Sequence, residues 1–295
     1  MKESLVTIGL PVFNGGEHLD QTLAALVAQD FSDFTLLVSD NCSGDDTPEI
    51  LARWQMADPR IQVVRQPSNI GAIANFAFVL NQAKSKWFMF AAHDDTWSPN
   101  YISALVAAAT EHPTADLLVP EVVFSFQDER EWIHRGVDES MFALQGVKRV
   151  RALLGAAHGS WIYGLHRRER LADVFRATRG YRPVWGADLL MLLPYLLSGA
   201  VAGTNKAVFT HLETTLSRER YRPKTARDQW ATHRDFLIHA LRFLRTADMN
   251  APAKLALLGG VMNYSNKHSF KIRRVLKSAL AAPFKKTPKA FSTGH

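Results

Sequence analysis

Cysteine is nearly absent from this 295-residue chain, and the lone Cys42 rules out an intrachain disulfide framework and fits a reducing compartment. Acid is absent after Asp248, where nine Lys or Arg follow. Of the 35 basic side chains, 26 lie in residues 1–248 against all 28 Asp and Glu. The body is therefore nearly neutral, and the net charge of +7 belongs to the C-terminal stretch. This pattern argues against an enzyme-wide nucleic-acid surface and for a local electrostatic anchor. Aromatics do not interleave the basic stretch in a stacking pattern, so nucleic acid is not an expected partner. Long apolar runs are lacking too. The longest, 189–202, contains Pro194 and is too short to span a bilayer comfortably. The opening MKESLVTIGL sets an acid and a serine before a short apolar run, so no signal peptide is expected there. The expectation is a cytoplasmic protein without a transmembrane helix. No GxGxxG follows the first apolar run, and neither GxxxxGKS nor GxxxxGKT occurs, which weakens dinucleotide-dehydrogenase and P-loop readings.

What is present is a first half of short apolar strands alternating with amphipathic helices. Strands are expected at 5–10, 34–39, 61–65, 87–91 and 117–124, with helices at 17–28, 47–57, 71–83 and 99–111. Thr47 and Pro48 read as a helix N-cap and first helical residue. Strands spaced by helices of this length predict an α/β fold, a mostly parallel sheet covered on both faces. Residues 125–147 read as loop with a peripheral strand. Beyond 148 the expectation is strands at 161–166 and 206–211, with helices at 169–176, 188–197, 226–245 and 253–282.

The segment WFMFAAHDDTWSP, 87–99, concentrates the chemistry. An apolar strand stops at His93-Asp94-Asp95, and two adjacent carboxylates at a buried strand end are costly unless a cation meets them. In an open α/β sheet, ligands bind at that end of the strands. A divalent metal carrying phosphate oxygens is the natural occupant, because hard cations choose carboxylates. Asn14, Asp40 and Asn69 also fall at or just after strand ends, so a parallel sheet gathers them with Asp94 and Asp95 on one edge. Each alone is accounted for by helix capping or turn closure. Asp45 and Thr47 read as turn and helix start.

VTIGLPVFNGGEHLDQTLAAL, LLVSDNCSGDDT, SNIGAIANF and FAAHDDTWSP, spread over roughly residues 4–120, form an ordered set. With these segments the chain resembles family 2 glycosyltransferases of the GT-A fold. The resemblance implies a Rossmann-like sheet flanked by helices, with a helical C-terminal extension. It implies a glycosyltransferase domain over 1–222, with a nucleotide-sugar half at 1–124 and an acceptor half at 125–222. A basic helical extension over 223–295 follows. Asp40 is then the reader of the nucleotide base. Pro11, Phe13, Asn14 and Glu17 belong to the first loop around the nucleotide, and Asn69, Gly71 and Asn75 line the donor. Asp94 and Asp95 stand for the DXD motif that binds Mg or Mn and the sugar-nucleotide diphosphate. Asp95 is preferred as metal ligand and Asp94 as donor contact. Asn41 replaces a second acid after the second strand, and Ala92-His93 replace the first acid of a strict DXD. His93 is read as a packing residue or as a contact to the metal or the sugar.

The same resemblance places the catalytic base at Asp188, at a helix start in VWGADLLMLLPYL, where Ala187 replaces the first acid of the usual pair. It makes His211, in FTHLETTLSRERYR, a further metal or diphosphate ligand. Arg218, Arg220 and Arg222 are either phosphate partners or a solvated loop. Trp161, Tyr163, Trp185 and His158 are either on the acceptor side or core. The implied activity is metal-dependent inverting transfer from a UDP- or dTDP-sugar to a glycan or lipid-linked acceptor hydroxyl. Two alternatives remain: a sugar-phosphate nucleotidyltransferase, although the first loop lacks Lys or Arg, and a non-catalytic membrane-associated protein on a degenerate scaffold.

In the tail, Ile272, Val275, Leu276, Ala279 and Leu280 share one helical face amid Lys and Arg. Residues 267–289 are read either as an anchor for an anionic membrane surface, peripheral at its cytoplasmic face, or as a docked helix with a solvated basic face.

Overall fold

A strand buried on both faces needs no polar alternation. The continuous apolar runs VTIGLPV, FTLLVSD and WFMF accordingly become β1 (Val6–Val12), β2 (Phe34–Asp40) and β4 (Trp87–Phe90), with β3 (Ile61–Arg65) beside β2. The computed structural model describes residues 3–126, 132–213 and 221–269. Five further strands complete the sheet: β5 (Thr96–Trp97), β6 (Leu117–Phe126), β7 (Trp132–Arg135), β8 (Leu165–Arg167) and β9 (Val201–Glu213). The order is β3-β2-β1-β4-β8-β6-β9-β5, with β7 paired to β6. Pairs β3–β2, β2–β1, β1–β4 and β6–β9 are parallel, whereas β8 runs antiparallel between β4 and β6. The fold is α/β of the GT-A kind. Because β1 to β4 are parallel, their carboxyl ends share one edge.

The first helices are α1 (Leu19–Val27), α2 (Thr47–Ala57), α3 (Ala72–Gln82) and α4 (Tyr101–Glu111). In α2, Asp46 rather than Thr47 is the cap, and Pro48 sits in the first turn where its missing N–H costs nothing. Pro99 does not start α4. Strand β5 intervenes, Ser98 N donates to the Val208 carbonyl, and the helix begins two residues after the proline.

The second half departs further. The strand expected at 161–166 is a 3-10 helix, Gly159–Tyr163, followed by the three-residue β8. Trp161 and Ile162 are both buried, which an alternating strand face does not produce. The strand expected at 206–211 is thirteen residues long and pairs with β6 across an irregularity at Pro120/Glu121. Helices α5 (Gly146–Ala156), α6 (Arg168–Ala177) and α7 (Ala187–Ser198) belong to the same half of the chain.

Helices α8 (Ala226–Thr246) and α9 (Ala251–His268) bury Phe236, Ala240, Leu257, Val261 and Tyr264 in the same core as the sheet. They also brace the start of α7. The Tyr264 hydroxyl donates to the Leu189 carbonyl at 2.7 Å, and Trp185 Nε1 donates to the Ser269 carbonyl at 3.1 Å. The helix expected at 253–282 is described as far as His268. The amphipathic face at 272–280 lies outside the described residues, as do Arg218 and Arg220. Among the described residues no helix is long and apolar enough to cross a membrane.

Candidate active site

The strand ends of β1, β2 and β3 are tied into one edge by side chains. Asn14 adopts φ 52°, its N–H donates to Ser43 Oγ at 2.9 Å, and its Oδ1 accepts from Gly44 N at 3.0 Å. Gly15 N and Gly16 N donate to Thr47 Oγ1 and Asp45 Oδ2. Asn41, standing where a second acid was expected, donates from Nδ2 to Asn69 Oδ1 and accepts from Ile70 N. It fastens the loop before α3 to the end of β2.

Within this frame Asp40 is 1% exposed. Its Oδ1 accepts from Ser43 N at 2.9 Å. Its Oδ2 makes no hydrogen bond and faces Arg65 Nη1 as an ion pair at 3.1 Å. Arg65 was not singled out by the sequence reading. The signal for it is positional, a cation ending the strand whose last residue pairs with Asp40 in register.

The other donor-side residues divide. Glu17 is 80% exposed at its side chain and lies near His18. Phe13 is half-buried, Asn69 and Gly71 are exposed, and Pro11 is buried in β1. Asn75 is 2% exposed, with Oδ1 accepting from Ser39 Oγ and Nδ2 donating to the Ser39 carbonyl. Its amide holds α3 to β2.

Asp95 is fully buried where the chain leaves β4. Its Oδ1 receives Leu212 N at 3.2 Å and lies 2.8 Å from His211 Nδ1. Its Oδ2 has no hydrogen-bond partner. Burial pushes this carboxyl above the usual range, His211 opposes that, and Asp94 adds to it. Thr22, a second residue the sequence reading missed, donates its hydroxyl to the His93 and Asp95 carbonyls and so shapes the loop. The His93 ring lies against Gly15.

Asp188 opens α7 behind Gly186, whose φ of 78° is a left-handed conformation that glycine adopts without strain. Backbone N–H groups of the helix start hold its carboxylate, yet burial dominates and raises its pKa. Gly159 is pressed on Asp188: a Cβ there would overlap Oδ2. The acids converge on Tyr163. Burial first, then the carboxylates of Asp95, Asp94 and Asp188, hold that phenol well above its ordinary range. Its ring stacks on Phe209 at 4.9 Å, and Phe209 stacks on His211 at 6.2 Å. The structure thus gathers Asp94, Asp95, His211 and Asp188 around Tyr163. Trp161 is core, and Arg222 is exposed.

The buried, unpartnered Asp95 Oδ2 suits a hard divalent cation such as Mg or Mn. Among the described residues no three His, Cys, Asp or Glu converge closely enough to hold one unaided. The residues fit a cation that completes its shell from substrate phosphates and water.

The model of "Glycosyl transferase family 2" matches residues 7–169. Among curated relatives, TuaG of Bacillus subtilis, named for teichuronic acid biosynthesis, is 29% identical over 93 residues, 32% of this chain and 37% of its own. A Campylobacter jejuni GalNAc(5)-diNAcBac-PP-undecaprenol beta-1,3-glucosyltransferase is 30% identical over 107 residues, 36% of this chain and 35% of its own. The chain spans little more than a third of the length of these relatives. Among solved structures, Staphylococcus aureus TarS 1–349 in complex with UDP-GlcNAc matches with a TM-score of 0.66 at 18% identity, over 90% of this chain and 73% of that one. The mannosyltransferase PcManGT of Pyrobaculum calidifontis, in complex with GDP-Man and Mn2+, matches with a TM-score of 0.53 at 15% identity, over 97% and 77%. These two likenesses concern the fold. The family match covers more than half of the chain, which belongs to glycosyl transferase family 2.

Proposed function

We propose that this chain transfers a sugar, with inversion, from a nucleotide-diphosphate sugar to an acceptor hydroxyl. The observation that supports the reading is a pair of raised carboxyls, Asp95 and Asp188, that both act on the buried Tyr163 phenol. Asp95 has an unpartnered buried oxygen after β4, and Asp188 stands at the start of α7. Asp40 Oδ2 accepts the ring N–H of a uracil or thymine, and Arg65 faces the neighbouring carbonyl. UDP- and dTDP-sugars are therefore the expected donors. UDP-GlcNAc in the TarS complex agrees with this.

In the transfer, the acceptor oxygen attacks the anomeric carbon and its proton passes to Asp188 as general base. The bond from the anomeric carbon to the diphosphate oxygen breaks, and the nucleoside diphosphate leaves. Asp95, with Asp94 beside it, would hold Mg or Mn together with donor phosphates and water, and the cation would supply charge neutralisation for the leaving diphosphate. His211 orients the Asp95 carboxylate, and Tyr163 forms the wall between the acids. The acceptor is a glycan or a lipid-linked glycan of cell-surface synthesis, reached from the cytoplasmic face of the membrane. The named roles of the two curated relatives support that assignment.

The test is transfer and donor hydrolysis measured over a panel of nucleotide sugars with and without Mn. The expected result is turnover of a uridine or thymidine donor that requires the cation. Release of pyrophosphate from a nucleoside triphosphate instead would establish the nucleotidyltransferase reading.

A further inference from the structure

Four basic side chains from three separate elements lie near one another on the Gly159 side of Asp188. Arg135 ends β7, His158 precedes the 3-10 helix, and Lys267 and His268 close α9. Ring contacts place Arg135 and His158, and Lys267 Nζ bonds the Gly155 carbonyl three residues before His158. Around Phe124 stand the Arg135 guanidinium at 5.8 Å, the His158 ring at 6.1 Å and the His211 ring at 5.9 Å. His211 is bonded to Asp95, and Gly159, next to His158, is pressed on Asp188. Arg135 and His158 therefore adjoin the candidate active site.

Among the described residues no carboxylate forms an ion pair with Arg135 or Lys267. Burial, and then the charges of Arg135, Lys267 and His268, press the His158 imidazole down to about 3. Burial and Lys267 press His268 down to about 4. Both rings are neutral at neutral pH, and each keeps a buried nitrogen without a hydrogen-bond partner, Nδ1 in His158 and Nε2 in His268. Such orphans are uncommon and call for a partner. Arg135 and Lys267 are exposed, and Lys267 Nζ spends one proton on the Gly155 carbonyl at the end of α5. A merely structural account explains that one bond. It leaves the two ring nitrogens and the gathering of four bases unexplained.

We propose that Arg135, His158, Lys267 and His268 form an acceptor-side oxyanion subsite that binds a phosphate of the acceptor while its hydroxyl is presented to Asp188. The proposal rests on the glycosyltransferase reading above. Donors arriving from three elements match the several oxygens of a phosphate, and a guanidinium fork adds charge-assisted bonds. The phosphate is either the diphosphate of a lipid carrier or the phosphodiester of a polymer repeat.

The experiment titrates the full chain with two soluble probes, decyl diphosphate below its micelle concentration and a short poly(glycerol phosphate). UDP binding serves as fold control. The comparison protein carries Arg135→Gln and Lys267→Gln together, with Arg135→Gln alone as a second variant should the pair fold poorly. At least one probe is expected to bind the wild type and to bind the double variant about tenfold more weakly, with UDP binding retained. Which probe binds distinguishes carrier from polymer. Absence of binding to the wild type, or equal binding to wild type and variants, overturns the proposal. So does a result in which only phosphatidylglycerol vesicles, and neither soluble probe, respond to the substitutions, since that assigns the cluster to a membrane surface. Donor hydrolysis separates the two readings. A protein that binds phosphate but never turns over a donor sinks the enzyme reading alone. One that hydrolyses donor but ignores both probes sinks the subsite alone.

Discussion

His211 Nδ1 and Asp95 Oδ1 lie 2.8 Å apart although 116 positions separate the two residues in the chain. The pairing occupies one carboxylate oxygen and leaves the other, fully buried, without a partner. A carboxylate so placed is either protonated or met by a cation, and the donor diphosphate brings the remaining ligands for one.

Asp95→Asn tests that role with little change of shape. The amide oxygen still accepts from Leu212 N, but the charge is gone. UDP with Mn is expected to raise the Tm of the wild type and to leave that of the variant unmoved. At about 100 times Kd, a ligand of the folded state contributes roughly 2.7 kcal/mol, which a thermal scan resolves. Transfer is expected to fall about a hundredfold or more. The ligand-free variant should be at least as stable as the ligand-free wild type at neutral pH. A carboxyl whose folded pKa is raised costs stability once ionised, and the cost fades as pH falls through that pKa. An equal Mn response in both proteins would remove Asp95 from the metal site.

Gly159→Ala examines the other side of the crevice. Its methyl would overlap Asp188 Oδ2, so either the 3-10 helix or the carboxylate must move. Because Tyr264 and Trp185 brace the start of α7, the expected yield is the carboxylate. Turnover should drop about a hundredfold, as for loss of a general base, with UDP affinity unchanged. Normal turnover in a folded Gly159→Ala protein would show that Asp188 need not hold this position.

Asp40→Asn addresses the base. A carboxylate only accepts hydrogen bonds, which suits the N3–H of uracil and opposes the N3 lone pair of cytosine. An amide offers both functions. Competition calorimetry is expected to show discrimination between UDP and CDP narrowed about tenfold in the variant. Retention of the full preference would place base recognition elsewhere.

The parallel half of the sheet was legible because each of its parts is local. Apolar runs that end in Asp40 or His93-Asp94-Asp95 reveal strands and where they stop, and parallel pairing then collects those ends. What escaped notice depends on distant parts of the chain. Arg65 meets Asp40 only through the register of β2 and β3. The segment 159–166 has the composition of a strand, but Gly164 packs on the Leu118 carbonyl and the chain turns through a 3-10 helix before pairing. Asn75 has the sequence neighbours of a donor contact, yet its amide is spent on Ser39. The position of His211 follows from the length of β9 and its irregular pairing with β6, neither of which any short motif records.

Asp188 makes a prediction about pH. As a general base it acts only when ionised, so kcat/KM must fall as acid protonates it. Burial raises its pKa from the ordinary carboxylate value of 3.8, and the helix-start N–H groups and His211 offset this only in part. The acid limb is therefore expected above 3.8, nearer neutrality than for an exposed aspartate. Asp95 is raised for the same reason, so the acid limb of kcat/KM carries both groups in the free enzyme. Metal binding separates them. A cation on Asp95 lowers its pKa, whereas Asp188 lies across the acceptor. At saturating Mn and donor, the surviving limb of kcat should report Asp188. Asp188→Asn should abolish turnover without moving the pH dependence of UDP binding with Mn. A kcat limb at the ordinary carboxylate value under saturation would mean that the group accepting the proton is exposed, and hence is not Asp188.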